Sequence, residues 1–146
     1  MHSFTRYADR AGRSDGPEGA VAKYLLDSDV VIDWLRRDEH VVGWLKSRDA
    51  AGDFLAWTPV SVAEVHAGLR PREEFVIPDL VRVLHCVPLD VRVGRKAGRY
   101  LQAFGRSHGV ELADALVAAA AHVHGLALCT RNVRHYPMRD VRKTRL

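Results

Sequence analysis

Short apolar runs alternate with segments of helical periodicity along most of this chain. Four of the runs are short and bounded by polar or turn residues, and each predicts a buried strand: Tyr24–Leu26, Asp53–Thr58, His85–Leu89 and Leu126–Cys129. Repeated strand–helix units with buried strands form a parallel sheet that helices cover on both faces. The pattern therefore predicts an α/β fold, and the chain near Val141 is expected to add a short edge strand.

Between the strands, apolar residues recur at spacings of three and four, which predicts helices. These are expected at Val30–Leu35, Glu39–Ser47, Ser61–Leu69, Pro71–Leu84, Val91–Phe104 and Leu112–Val123. Pro78 is expected to break or kink the fourth helix, because proline removes a backbone donor. Gly105 and Gly125 are expected to end the last two, since glycine is common just after a helix.

The first 22 residues lack this periodicity and mix Ser, Asp, Arg, Gly and Pro. We expect residues 1–22 to be a disordered leader and residues 23–146 to form one domain. No apolar run approaches the ~20 residues that span a bilayer, and the N-terminus has no apolar signal segment. Cys86 and Cys129 each lie in a predicted strand, which favours two buried thiols in a reducing cytoplasm over a disulfide.

Polar residues stand where these strands end or the following helices begin. Asp27 follows the first strand, Glu64 lies in the helix after the second, Asp114 begins the helix before the fourth, and Asn132 follows the fourth. The carboxyl ends of parallel strands meet at one edge of a sheet, so these side chains can converge there. Three acids without Cys or His at ligand spacing suit Mg²⁺ or Mn²⁺ better than zinc.

Each acid also has a purely structural interpretation. Asp27 can cap the first helix by accepting hydrogen bonds from its free amides. Ser61 and Glu64 match the S-x-x-E capping box, which would place Glu64 in the first turn of its helix. Asp114 would be a favourable charge in a first helical turn, worth ~0.3–1 kcal/mol. The sequence leaves these alternatives open.

Positive charge is concentrated in two segments. Arg131–Leu146 holds six basic residues and one acid, and Arg92–Arg106 holds five basic residues and no acid. Such segments suit a phosphate backbone, whereas the alternative is a solvated helix face followed by a frayed basic tail.

Four stretches together resemble the motifs of PIN-domain ribonucleases, in particular the VapC-type toxins of bacterial toxin–antitoxin pairs. The stretches are Leu25–Asp33, Ser61–Glu64, Ala113–Ala119 and Thr130–Tyr136. The resemblance implies a three-layer α/β/α sandwich with a central, mainly parallel sheet of four to five strands. It further implies a Mg²⁺-dependent endoribonuclease that hydrolyses RNA phosphodiester bonds with a metal-activated water, and Mn²⁺ is an alternative ion.

The same resemblance assigns roles to individual residues. Asp27 and Asp114 match the acids that hold the metal, Glu64 matches the third acid, and Thr130 and Asn132 match the last motif. Many relatives carry Asp where Asn132 stands, so we expect one well-held ion instead of two. Asp29 is expected to add negative charge to the site, because relatives often carry Asn or Ser at this position.

The partners implied by the resemblance are an RNA substrate and a VapB-like antitoxin whose tail covers the active groove. Homodimers are expected within the toxin–antitoxin complex. Loops of transfer RNA or ribosomal RNA are candidate substrates, because single-stranded loops expose their bases for recognition.

Two competing functions remain open at this stage. Asp27-Ser28-Asp29-Val30 also fits the opening motif of haloacid-dehalogenase-type phosphatases, but the chain offers no lysine followed by the late acidic pair of that family. The second alternative is a catalytically silent PIN-like module that binds RNA or protein. Such modules usually lose one of the core acids, and here Asp27, Glu64 and Asp114 are all present.

Overall fold

Five parallel strands form the central sheet of residues 21–146, the part of the chain that the computed structural model describes. The strands are β1 (Lys23–Leu26), β2 (Phe54–Trp57), β3 (His85–Cys86), β4 (Ala127–Thr130) and β5 (Lys143–Arg145). Their order across the sheet is β3-β2-β1-β4-β5, and every neighbouring pair is parallel. The predicted edge strand therefore exists, two residues beyond Val141.

Helices cover both faces of this sheet. They are α1 (Ser28–Leu35), α2 (Glu39–Ala51), α3 (Pro59–Gly68), α4 (Ile77–Val83), α5 (Val91–His108) and α6 (Leu112–Val123), with 3₁₀ turns at Pro71–Val76 and Val133–His135. Because side chains alternate along a strand, Leu25 and Leu128 pack with α5 and α6 while Leu26 and Cys129 pack with α1, α2 and α4. The predicted three-layer α/β/α architecture is thus confirmed.

A glycine and a proline mark helix boundaries, one of them at a different residue from the one predicted. Gly105 does not end α5, which continues to His108 and ends at Gly109, whose φ of 67° lies in the left-handed region that glycine adopts readily. The expected break at Pro78 is present, because the predicted Pro71–Leu84 helix is divided into a 3₁₀ segment that ends at Val76 and α4, which begins at Ile77. Pro78 stands in the first turn of α4, where a missing N–H leaves no helical bond unmade.

The proposed capping box at Ser61 is wrong. Thr58 is the N-cap of α3, its hydroxyl accepts a hydrogen bond from the Ser61 N–H at 3.2 Å, and Pro59 occupies the first helical position. Ser61 is therefore buried inside the helix, and Glu64 lies beyond the first turn on an exposed face. Glu64 therefore does not cap α3, and the capping role that was the structural alternative for it is excluded.

Most of the predicted leader, residues 1–20, lies outside the described residues. Ala22 is described, and its backbone N–H donates to Asp53 Oδ1 at 3.1 Å while its carbonyl accepts from Phe54 N. Cys129 is buried as expected, but Cys86 is exposed because β3 is a short strand at the edge of the sheet. Within residues 21–146, each helix is too short or too polar to cross a membrane.

Candidate functional site at the carboxyl edge of the sheet

Asp27 occupies the junction between β1 and α1. Its backbone N–H bonds to the Cys129 carbonyl at 2.9 Å, which ties the junction to β4. Its Oδ1 caps α1 by accepting from the Ser28 N–H at 2.8 Å, as the structural interpretation predicted. Its Oδ2 accepts two further bonds, from the hydroxyls of Thr130 at 2.9 Å and Tyr136 at 2.8 Å. The carboxylate is buried and held in one orientation.

Thr130 and Asn132 approach Asp27 through the end of β4. The Thr130 hydroxyl, which is buried, donates to Asp27 and accepts from the Asn132 backbone N–H at 3.0 Å. The Asn132 side chain itself is exposed. Thr130 is therefore in direct contact with Asp27, and Asn132 is joined to it only through its backbone.

Asp29 adds a second carboxylate in the first turn of α1. Its Oδ2 accepts from the Arg131 backbone N–H at 3.1 Å, whereas its Oδ1 is buried with no hydrogen-bond partner within residues 21–146. Burial first, and then the negative charge of Asp27, raise the pKa of Asp29 to about 6. A buried carboxylate oxygen without a donor is costly unless a cation or water reaches it.

Asp114 and Glu64 belong to the same region, because α3 packs against both α1 and α6. Asp114 lies in the first turn of α6 and is half-buried. Burial raises the pKa of Asp114, the negative charges of Asp27 and Glu64 raise it further, and His135 opposes them. Asp114 is thus close enough to Asp27 and Glu64, which are distant in sequence, for both charges to act on it.

Arg131 directly follows β4 and is close to Asp27 and Asp29, but its guanidinium binds other carboxylates. Its Nη1 donates to Asp33 Oδ2 and to Asp38 Oδ2, both at 2.9 Å. The bond from Arg131 holds the pKa of Asp38 below its usual range. The sequence placed Arg131 in a basic tail available to phosphate, whereas in the structure its guanidinium is paired with two carboxylates of the protein itself.

Comparison with known proteins identifies the family of this chain. The PIN domain profile matches residues 24–141. Ribonuclease VapC10 of Mycobacterium tuberculosis is 38% identical over 115 residues, which cover 78% of this chain and 86% of the relative. The chain is a VapC-type member of the PIN domain family. Ribonuclease VapC19 of the same species is 29% identical over 115 residues, covering 78% of this chain and 92% of that protein.

Solved structures agree with the PIN fold. The crystal structure of VapBC2 from Rickettsia felis bound to a DNA fragment from their promoter superposes with a TM-score of 0.72. The match covers 84% of this chain and 98% of that chain at 14% sequence identity, so it supports the fold alone. The resemblance drawn from the four motifs is confirmed at the level of the family.

One contributor to this PIN-domain site, Tyr136, was missed from the sequence. Tyr136 was given no role although it lies in the last quoted motif, and its buried hydroxyl bonds to Asp27. Burial and then the charge of Asp27 raise the pKa of Tyr136 far above its ordinary value, so the phenol stays a neutral donor. No spacing rule identifies this residue, since a tyrosine beside apolar neighbours is ordinarily a core residue.

The residues present fit a divalent cation, although no three His, Cys, Asp or Glu side chains within residues 21–146 already stand as a complete ligand set. Mg²⁺ keeps several of its waters and needs only one or two direct carboxylates, so a finished cage is not required. The unpartnered Oδ1 of Asp29 and the mutual repulsion around Asp114 are the features that favour a cation here. All candidate ligands are hard oxygen atoms.

Proposed function

We propose that this protein is a divalent-metal-dependent endoribonuclease that acts as the toxin of a toxin–antitoxin pair. The observation that carries the proposal is the group of acids around Asp114, in which Asp27 and Glu64 both disfavour its charged form. Carboxylates are kept in such repulsive proximity where a cation is to be bound. The two VapC relatives are named ribonucleases, which supports RNA as the substrate.

In this proposal Asp27 and Asp114 hold the ion, and Glu64 completes the acidic site directly, through a water, or by helping to activate the attacking water. Bound Mg²⁺ or Mn²⁺ would lower the pKa of a water and neutralise charge on the phosphoryl group. Thr130 and Tyr136 fix the orientation of Asp27 by donating to its Oδ2. Asp29 adds charge beside it, and the neutral Asn132 favours one ion over two.

The proposed protein partner is a VapB-like antitoxin, since the solved neighbours include VapBC complexes. A groove of about 480 Å³ between α1, α2 and the first 3₁₀ turn offers an apolar surface that a partner helix could cover. Phe75 stands at this groove with 75% of its surface exposed. Co-expression with the product of a neighbouring short open reading frame tests this partner: Phe75→Glu is expected to weaken the complex, and unchanged co-purification would contradict the groove.

The second candidate function is a PIN module that binds RNA without cutting it. The exposed Asn132 in place of an acid is the one observation that favours it, because it leaves the site with less charge than a full acidic set. The presence of Asp27, Glu64 and Asp114 together favours catalysis.

Cleavage of total cellular RNA by the purified, antitoxin-free protein separates these two functions. We expect discrete fragments in the presence of Mg²⁺, none with a chelator, and none from Asp114→Asn. Retained RNA binding without any cleavage by the unmodified protein would establish the silent module in its place.

A further inference from the structure

One face of α5 is basic along its whole length. Arg92, Arg95, Lys96 and Arg99 follow one another at spacings of three, one and three, which places them on one side of the helix, and Arg106 continues the line two turns later. We call these five residues the α5 basic stripe. No Asp or Glu occurs between Val91 and His108, and a different face of α5, with Val93, Ala97 and Tyr100, is buried in the core.

The stripe ends in a cavity of about 360 Å³ beside the last turn of α6. Arg92, Arg95, Lys96 and Arg99 line it together with His122 and Val123. The lining therefore contains four permanent cations, one imidazole and a single apolar side chain. Within residues 21–146 no carboxylate lines the cavity, although Asp140 contacts two of the lining residues, Lys96 at 2.6 Å and His122 at 3.5 Å.

Neighbouring acids compensate only part of this charge. Asp140 contacts Lys96 at 2.6 Å and accepts from the Tyr100 hydroxyl, and Asp90 contacts Arg92 at 3.3 Å. Arg95 and Arg99 are exposed, and neither is paired with a carboxylate within residues 21–146. At least two guanidinium groups are thus directed at solvent beside the cavity.

The cavity and the acidic edge are connected by two helices that pack against each other. His122 follows Asp114 by eight residues in α6, so the two are ~12 Å apart along the helix axis. Because α5 and α6 are consecutive and joined by a short turn at Gly109, the C-terminal end of α5 with Arg106 lies at the Asp114 end of α6. The stripe therefore leads from the cavity towards the acids over ~21 Å of helix.

We propose that the α5 basic stripe binds the phosphodiester backbone of an RNA strand, with the cavity holding a phosphate group several nucleotides away from the bond at the acidic edge. This inference rests on the proposed function for the identity of the strand. Guanidinium groups match phosphate oxygens in a two-pronged geometry, and backbone contacts of this kind position a nucleic acid without reading its sequence.

An RNA backbone suits the stripe better than an acidic protein segment. The buried centre of a protein interface is rich in apolar and aromatic side chains, whereas Val123 is the one apolar residue in this lining. The charge also follows a line along the helix, as a polyanion of repeating phosphates requires.

Salt-dependent RNA binding tests the proposal most directly. The protein carries Asp114→Asn to prevent cleavage, and the stripe is altered by Arg95→Gln with Arg99→Gln. The matched control is Arg36→Gln with Arg72→Gln, which removes the same charge from exposed arginines elsewhere. Affinity for an unstructured RNA of about 20 nucleotides is followed by fluorescence anisotropy over a range of salt concentrations.

The stripe variant is expected to bind on the order of tenfold more weakly at about 0.1 M salt, with a slope of log K against log salt shallower by about 1.4. The control is expected to match the parent, and Arg95→Lys with Arg99→Lys is expected to keep the slope because it keeps the charge. Equal losses in both glutamine variants, or no loss in the stripe variant, would overturn the proposal. Competition by polyglutamate as effective as competition by RNA would also overturn it.

Kinetics with the otherwise unmodified protein separate this inference from the proposed nuclease. The stripe variant is expected to raise KM for the long RNA and to leave kcat, and the cleavage of an RNA of about four nucleotides, unchanged. If the protein cuts no RNA but binds it through the stripe, the nuclease is refuted and the binding surface stands. If it cuts RNA with an unaltered KM in the stripe variant, the nuclease stands and the stripe is refuted.

Discussion

Two groups of carboxylates on or near α1 differ in what neutralises them. Asp33 and Asp38 share the guanidinium of Arg131, and the pKa of Asp38 is lowered by that contact. Asp29 lies on the same helix as Asp33, and its Oδ2 accepts from the Arg131 backbone N–H at 3.1 Å and from the Thr130 hydroxyl at 3.5 Å. Its pKa is raised to about 6, mainly by burial. The guanidinium of Arg131 thus neutralises Asp33 and Asp38, whereas within residues 21–146 no side-chain cation is paired with Asp29.

The difference suggests how the site stays available for an external cation. A long guanidinium near Asp27 could fold over it and neutralise it, but the two bonds to Asp33 and Asp38 direct Arg131 away. Its backbone meanwhile fixes the loop that carries Thr130 and Asn132. The first group, Asp33 and Asp38, therefore serves the structure. The second group, which we propose for metal binding, is Asp27, Asp114 and Glu64, with Asp29 adding charge beside them.

Removing one charge from each group should separate them most clearly in RNA cleavage. Asp27→Asn and Asp114→Asn are expected to lower kcat/KM at least about 100-fold, since the charge stabilisation that a metal supplies is worth several kcal/mol. Asparagine still caps a helix, so Asp27→Asn keeps the structural role of Asp27 at α1. Asp38→Asn removes the same charge from the first group and is expected to cut RNA normally; equal losses in all three variants would erase the distinction.

The hydroxyl of Tyr136 should stabilise the fold through the carboxylate it holds. Tyr136→Phe removes a buried bond to Asp27 and is expected to lower the free energy of unfolding by about 1–3 kcal/mol in metal-free urea denaturation. Tyr24→Phe is the matched control, because the Tyr24 hydroxyl bonds to no residue within 21–146. A loss in the control as large as that in Tyr136→Phe would mean that the Asp27 bond contributes nothing specific.

Arg131 should contribute less to stability than Tyr136, because its ion pairs are about one-third exposed and water screens them. Arg131→Gln is expected to lower Tm, and the loss should shrink as salt is raised. The same substitution in an Asp33→Asn, Asp38→Asn background is expected to change Tm less. If the two backgrounds lose the same amount, the pairing with these two acids does not account for the role of Arg131.

The smallest effect concerns pH. The Arg131 hydrogen bond lowers the pKa of Asp38 in the folded protein, so Asp38 binds protons more weakly there than in the unfolded chain. Its stabilisation is present above the unfolded value of about 3.9 and is lost as pH falls through the lower folded value. Asp38→Asn is therefore expected to be less stable than the parent at neutral pH and to approach it in acid, as measured by urea midpoints. A constant difference at all pH values would contradict this.

The fold was predictable because its signals are local. The apolar runs that become β1, β2 and β4 are short and bounded, and the three-layer architecture follows from their alternation with helices. The errors arose where two residues compete for one structural role. Thr58 caps α3 in place of Ser61, because Thr58 has the extended backbone of a residue just before a helix. Gly109 ends α5 in place of Gly105, because Gly109 has the left-handed backbone of a residue just after a helix.

The candidate site was predictable only in part. Asp27 and Asp114 were identified because a carboxylate after a strand or at a helix start is visible in the sequence, whereas Glu64 was expected in a first turn and lies beyond it. The roles of all three as metal ligands stay predictions. The partners of these acids depend on contacts across about a hundred residues, such as Tyr136 with Asp27 and Arg131 with Asp33. No local pattern encodes which of several arginines or tyrosines makes such a contact.

The central claim is that the second group of acids binds a single divalent ion, and calorimetric titration of Mn²⁺ into the antitoxin-free protein tests it directly. We expect one ion per chain, loss of that binding in Asp114→Asn, and unchanged binding in Asp38→Asn. Absence of binding in the unmodified protein, or binding that survives Asp114→Asn and disappears in Asp38→Asn, would contradict the account.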